Sequence, residues 1–156
     1  MMTLNSLNQI IDAASDKTLY IRWSRGPAMD RKHGKSRDQV SGQYHSGLSA
    51  QAVRADNPKL LAKMLQEYSF LRCKDPRIYC WIFSGEQNGT DSDGAPTIDA
   101  ETIVPVGRIS DALIAKCSEY NDAYWVWARK GFDSSAEANI DTLFAAVMRH
   151  GTEEAE

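Results

Sequence analysis

The stretch LYIRWSRGPAMD, residues 19–30, decides most of what can be predicted for this chain. Its first six residues alternate between two faces, as the two-residue repeat of a β-strand requires. One face carries Leu19, Ile21 and Trp23, and the other carries Tyr20, Arg22 and Ser24. The pattern therefore predicts a strand with a cationic guanidinium on the open face opposite its most apolar residues.

A long polar segment, residues 25–46, follows this strand without a helical or strand period. Loops of this length are uncommon in compact domains and are usually functional or disordered. Because the segment directly follows Arg22, we expect a loop that covers or borders a site whose floor is the Arg22 strand.

Helix and strand patterns alternate along the rest of the chain. Apolar residues recur at helical spacing in 4–15, 57–73, 111–120 and 134–150. Strand patterns occupy 18–24, 77–84, 101–107 and 123–131, and a turn-rich stretch occupies 85–96. The order predicts an α+β fold, a single domain over 1–156 with a mostly antiparallel sheet and about four helices packed against it, and a solvated acidic tail at 152–156.

Length and composition narrow the classes of function. A chain of 156 residues fits one domain, and its net charge of -3 gives no bulk attraction to nucleic acid or anionic lipid. Without a long apolar run or a signal-peptide pattern, we expect a cytoplasmic protein with no membrane partner. Cys73, Cys80 and Cys117 lack metal-ligand spacing, which predicts buried free thiols and no metal site.

The common catalytic motifs are missing, but one set of residues could support glycosyl transfer. The sequence has no phosphate-binding glycine motif, no metal-type His pair and no recognisable Ser-His-Asp set. Asp99 and Glu101 stand two residues apart at a predicted strand entry, so both should leave one face. Of two paired carboxylates, one can stabilise a positively charged sugar carbon while the other orients or deprotonates the attacking group. An arginine such as Arg22 can hold a diphosphate.

These residues resemble the arginine-serine-glutamate pattern of ADP-ribosyltransferases. The pattern here is an Arg on a first strand, a Ser at a strand start and a Glu four residues before Pro105. The resemblance implies that Arg22 contacts NAD, Ser49 supports the nicotinamide ribose pocket, Glu101 acts on the ribose and Asp99 is a second acid. The chain departs from the pattern beside Ser49, where leucine and alanine replace the usual second Ser or Thr.

Two further residues complete the candidate cofactor site. Tyr44 could stack on a flat ring, or it could close an edge of the core. Arg25 follows the Arg22 strand and adds a second cation near a bound nucleotide. NAD is the cofactor that this interpretation allows.

A second resemblance covers more of the chain. The segments RWSRG at 22–26, SRD at 36–38 and GLSA at 47–50 are similar to an uncharacterised bacterial family, a domain of unknown function. That family pattern has an acidic residue before the proline of the turn-rich loop, whereas this chain has Ala95 before Pro96. The resemblance itself implies no activity.

A purely structural role is the alternative for the arginines. Arg22 and Arg25 could pair with Asp30 or Asp38 and fasten the polar segment to the strand. Surface pairs of this kind usually contribute less than about 1 kcal/mol to stability. The acids Asp99 and Glu101 could likewise be solvated residues.

Two other classes of function remain open. A non-enzymatic protein-interaction module could use the 25–46 segment for recognition. Trp125 and Trp127, at strand spacing, are predicted to be packing residues, although one side of the pair could be exposed and mark a contact surface. The basic residues from Arg22 to Arg37 could also follow a nucleic-acid backbone, with nearby aromatic residues stacking on bases. The acidic net charge makes nucleic acid the less favoured partner.

Overall fold

The computed structural model of the chain describes residues 1–37 and 44–149, without the side chains of residues 36, 37, 44 and 45. The central part of the predicted polar loop, 38–43, lies outside the described residues. So do residues 150–156, which include the predicted acidic tail.

The described residues contain ten strands and five α-helices. The strands are β1 Met2–Leu4, β2 Tyr20–Ser24, β3 Lys35–Arg37, β4 Tyr44–Ser46, β5 Leu48–Ser49, β6 Gln51–Ala52, β7 Tyr79–Ser84, β8 Gln87–Thr90, β9 Pro96–Ile98 and β10 Val104–Ile109. The helices are α1 Leu7–Ala13, α2 Pro27–His33, α3 Pro58–Glu67, α4 Asp111–Arg129 and α5 Glu137–Met148. Short 3-10 helices occupy Ser69–Cys73, Ala100–Thr102 and Ser134–Ala136. None of the helices described is both long and apolar enough to cross a membrane.

The strands form one main sheet and two small ones. The main sheet has the order β1-β10-β7-β2-β6, in which β1 and β10 are parallel and every other neighbouring pair is antiparallel. A three-stranded sheet has the order β5-β9-β8, and β3 pairs with β4. The predicted α+β fold with a mostly antiparallel sheet is confirmed.

The core lies on both faces of the main sheet. Helices α1, α3, α4 and α5 cover one face, where Ile21, Trp23, Cys80 and Ile82 are buried against them. The β5-β9-β8 sheet covers the other face, where Tyr20, Trp81 and Phe83 are buried. The alternation read from residues 19–24 is confirmed, because Ile21 and Trp23 face the helices while Tyr20 faces the small sheet.

The predicted strand at 123–131 is wrong, because these residues continue α4 as far as Arg129. Ser110 caps the helix, its Oγ accepting a hydrogen bond from the backbone N–H of Leu113 at 3.1 Å. The buried positions Leu113, Cys117 and Tyr120 then define a face that passes through Tyr124. Tertiary burial of this helical face outweighs the strand propensity of the aromatic residues.

The predicted loop at 25–46 holds regular structure in its described parts. Pro27 begins α2 at a position that needs no N–H donor, and Gly34 ends it in the left-handed conformation with φ 65°. The β3 and β4 strands follow and pair with each other. The described parts of the segment are thus a helix and two paired strands rather than one long loop.

Two smaller predictions are corrected in part. The strand expected at 101–107 begins only at Val104, and its pairing with β7 has a register shift between Pro105 and Gly107. Of the three cysteines predicted to be buried, Cys73 is exposed. Cys80 and Cys117 are buried, and burial raises the pKa of the Cys117 thiol to about 12.

The link between β2 and α2 depends on Gly26. Its φ of 108° and ψ of 175° lie in a region that is essentially restricted to glycine, and an added Cβ would collide with the Tyr79 hydroxyl. We expect Gly26→Ala to lower the free energy of unfolding by about 3 kcal/mol, measured by urea denaturation.

Gly34→Ala is the matched control. Gly34 also has a positive φ, but an added Cβ would meet no atom within 4 Å. Its cost should be about 1 kcal/mol, because only the backbone conformation is penalised. Equal costs for the two variants would show that the Tyr79 contact does not matter.

Candidate functional site

Arg22 is enclosed rather than directed to open solvent. It lies on the β2 face opposite Ile21 and Trp23, as predicted, but its side chain is only 14% exposed. Residues of α2 and β5 supply its contacts. The open guanidinium expected from the sequence is therefore corrected to a largely buried one.

All three guanidinium nitrogens of Arg22 donate hydrogen bonds within the protein. Nε lies 2.9 Å from Asp30 Oδ2, and Nη2 lies 3.4 Å from Asp30 Oδ1. Nη1 donates to the backbone oxygen of Ser49 at 2.7 Å. The structural alternative for Arg22, pairing with Asp30, is the arrangement observed, and Asp30 is 11% exposed in its side chain.

Ser24 holds the Asp30 carboxylate in place. Its hydroxyl donates to Asp30 Oδ2 at 2.6 Å and accepts from Trp81 Nε1 at 2.9 Å and from the Gly26 N–H at 3.1 Å. One donor and two acceptor positions are all that a hydroxyl offers. We call Arg22, Ser24, Asp30, Trp81 and the Ser49 carbonyl the Arg22 network.

The two candidate acids do not share a strand face. Asp99 precedes the 3-10 helix Ala100–Thr102, and its Oδ1 accepts a hydrogen bond from the Glu101 N–H at 3.0 Å. Glu101 lies on this helix and is exposed. Asp99 thus caps a turn, a role that a short carboxylate commonly fills.

The serine and the acids belong to neighbouring parts of the same layer. Ser49 on β5 is opposite Thr97 on β9, two residues before Asp99. The 3-10 helix that carries Glu101 is fastened to α2, because Arg31 Nη2 donates to the Ile103 oxygen at 2.8 Å. The structure gives no direct contact between Glu101 and Arg22.

Arg25 does not extend this site. Arg25 pairs with Asp75, Nε to Oδ2 at 2.5 Å, and its side chain is 41% exposed. Hydrogen bonds from Arg77, supported by Arg25, lower the pKa of Asp75 to about 2. Tyr44 begins β4 opposite Arg37, and its side chain lies outside the described residues. In the described parts of the chain, no cluster of three His, Cys, Asp or Glu residues is arranged to hold a metal ion.

A cleft of about 640 Å³ lies on the other side of the molecule, between α3, the 3-10 helix Ser69–Cys73 and α4. Its exposed lining residues are Lys63, Glu67, Phe70, Asp122 and Trp125. We call this the α3–α4 cleft. The cleft is open to solvent rather than enclosed.

The aromatic side chains of the α3–α4 cleft are unusually open to solvent. Trp125 is 67% exposed and Phe70 is 50% exposed. Trp127, two residues later, instead donates its Nε1–H to the Asp133 oxygen at 2.8 Å and packs edge-on against Phe132. The prediction that both tryptophans are packing residues is wrong for Trp125, whose exposed ring agrees with the alternative that one side of the pair is open to solvent.

Hydrogen bonds between α3 and α4 satisfy the half-buried amides of the cleft. Asn121 Nδ2 donates to Gln66 Oε1 at 2.7 Å and to the Ala62 oxygen at 3.3 Å. Gln66 Nε2 donates to Ser118 Oγ at 3.3 Å. These contacts fix the two helices against each other.

The chain belongs to a family of unknown function (DUF6098), whose model matches residues 1–131. This confirms the resemblance carried by the RWSRG, SRD and GLSA segments. The matched range contains both the Arg22 network and the α3–α4 cleft. The comparisons with curated proteins and with solved structures found no significant match.

Breaking the Arg22–Asp30 pair should destabilise the fold strongly. Arg22→Met or Asp30→Asn removes one partner of a largely buried ion pair and leaves the other uncompensated, at a cost of about 3 kcal/mol each. The double variant should cost less than the sum, since it leaves no orphaned charge. Urea denaturation of all three variants measures this coupling.

The control is Arg54→Met, at an exposed ion pair with Asp56. Solvent screens this pair, so its loss should hardly move the denaturation midpoint. Additive costs for the Arg22 and Asp30 variants would contradict a coupled pair.

Proposed function

We propose that this protein is a non-catalytic interaction module that binds a segment of another protein in the α3–α4 cleft. The observation that supports it is the pairing of two largely exposed aromatic side chains, Phe70 and Trp125, on one concave surface. Tryptophan is enriched among the residues that dominate binding energy at protein interfaces, and large aromatic side chains contribute broad contact areas.

The rigidity of the cleft supports the proposal. Its two long walls, α3 and α4, are joined by the Asn121–Gln66 hydrogen bonds and by the apolar core beneath them. A preformed surface costs less conformational entropy on binding than a flexible one. Recognition here would use the helical layer instead of the 25–46 segment first considered.

The basic residues of the 25–46 segment are partly committed elsewhere. Arg25 is ion-paired, as is Arg22 on the preceding strand, and Arg31 donates to a backbone oxygen. Nucleic-acid binding draws on cations that are free to approach phosphates. Among the described residues this segment therefore offers less positive charge than its sequence indicates, and nucleic-acid binding stays a less favoured prediction.

The NAD hypothesis stays a prediction with its own test. A diphosphate that binds Arg22 would have to displace Asp30, which takes two of the guanidinium nitrogens. We therefore expect millimolar NAD to leave the melting temperature unchanged. A rise in melting temperature, reduced in the exposed variant Glu101→Gln, would instead favour the transferase hypothesis.

Partner binding is tested with variants of the exposed cleft residues. Tagged wild type, Trp125→Ser and Phe70→Ser are used to capture proteins from the source cells, with recovery measured by quantitative mass spectrometry. A true partner, purified afterwards, should bind the wild type about 30-fold more tightly than Trp125→Ser, the loss typical of an aromatic hot spot.

Val126→Ser is the matched control. Val126 is 43% exposed and adjacent to Trp125, but it does not line the cleft. Its partner affinity should equal that of the wild type. If the Val126 and Trp125 variants lost the same proteins to the same extent, the cleft would not be the binding surface.

A further inference from the structure

The exposed groups of the α3–α4 cleft combine aromatic rings with negative charge. Phe70 and Trp125 supply the rings, Glu67 and Asp122 supply carboxylates, and Lys63 is the single cation in the described lining. The face of an aromatic ring carries negative electrostatic potential and attracts cations. The surface is thus complementary to a flat cation rather than to an anion.

The negative potential extends beyond the lining of the cleft. Tyr68 follows α3, and its ring lies near that of Phe70, with centroids 6.0 Å apart. Burial raises the pKa of the Tyr68 hydroxyl, and the carboxylates of Glu67, Asp93 and Asp91 raise it further. The carboxylates of the turn between β8 and β9 therefore add negative potential at the same end of α3 as Glu67.

We propose, resting on the function proposed above, that the cleft holds an arginine side chain of the partner protein. The guanidinium would stack on the Trp125 or Phe70 ring and pair with the carboxylate of Asp122 or Glu67. Arginine suits this surface better than lysine, because its planar group stacks on rings, pairs with carboxylates through two hydrogen bonds and is less strongly hydrated.

The polar contacts of the two carboxylates fit this assignment. Glu67 Oε2 accepts one hydrogen bond, from Gln51 Nε2 at 3.1 Å, which leaves its second oxygen for a ligand. Asp122 is exposed on α4, one turn of helix from Val126 and directly after the Asn121 that holds α3. Lys63 faces the same cleft and would oppose a cationic ligand.

The test uses fluorescein-labelled peptide pools of the form Gly-Xaa-Xaa-Arg-Xaa-Xaa-Gly, with matched pools that carry citrulline, Lys or Glu at the central position. Citrulline keeps the shape of arginine without its charge. Fluorescence anisotropy with the full chain should give about tenfold tighter binding of the arginine pool than of the citrulline pool. Equal binding of the two pools, or no binding of the arginine pool at millimolar protein, would overturn the inference.

Substitutions in the cleft provide a second readout. Trp125→Leu should weaken the arginine pool about fivefold, while Trp125→Phe, which keeps a ring, should restore most of the affinity. Asp122→Asn should weaken it at low salt, and Lys63→Gln should strengthen it about twofold, because a repelling charge is removed. Val126→Ser should change nothing, and a weaker arginine pool with Lys63→Gln would contradict the charge argument.

The outcomes separate this inference from the proposed function. If the citrulline or Glu pools bind as well as the arginine pool and lose affinity in Trp125→Leu, the cleft is a binding surface and only the arginine assignment is wrong. If Trp125→Leu changes neither pool binding nor the capture of cellular proteins, both the module and its partner chemistry are wrong.

Discussion

A charged pair that is nearly removed from solvent, Arg22 with Asp30, determines how the second layer joins the main sheet. Neither charge could stay in this low-dielectric position alone, because removing a single ion from water costs several kcal/mol. The guanidinium reaches the Ser49 carbonyl on one side and α2 on the other. The same pair therefore positions both the helix that follows β2 and the strand β5.

The strand that carries Arg22 also positions the opposite layer. Trp23, the next residue, donates its Nε1–H to the Leu65 oxygen of α3 at 3.0 Å, and the Arg72 guanidinium lies 5.2 Å from its ring. The two alternating faces of β2 thus fix the α2–β5 side and the α3 side of the molecule. Structural roles therefore account for most of RWSRG. Arg22 forms an ion pair and Trp23 contacts a helix. Ser24 bridges neighbouring groups through its hydroxyl, and Gly26 forms a turn that requires glycine.

Sequence patterns predicted structure correctly where residues a few positions apart determine it. They were misleading where a short run of residues suits more than one type of element. The alternation of β2 follows from spacing within a few residues, and it is present. The three aromatic residues and one valine at 124–127 predicted a strand, yet the buried face of α4 continues through them. Pro27 and Gly34 were the start and stop signals of α2, but the polar composition between them concealed the helix.

The candidate cleft could not be located from the sequence. Its two exposed rings, Phe70 and Trp125, are 55 residues apart (125 − 70), and only the packing of α3 against α4 brings them to one surface. Burial of Trp125 and Phe70 within the domain would be favourable by about 25 cal/mol per Å² of apolar surface. In the fold both rings stay exposed, whereas the side-chain amides between the same helices are hydrogen-bonded. A partner segment that covers the rings would recover the apolar contribution, which is why the exposed rings, and not the enclosed arginine, carry the functional proposal.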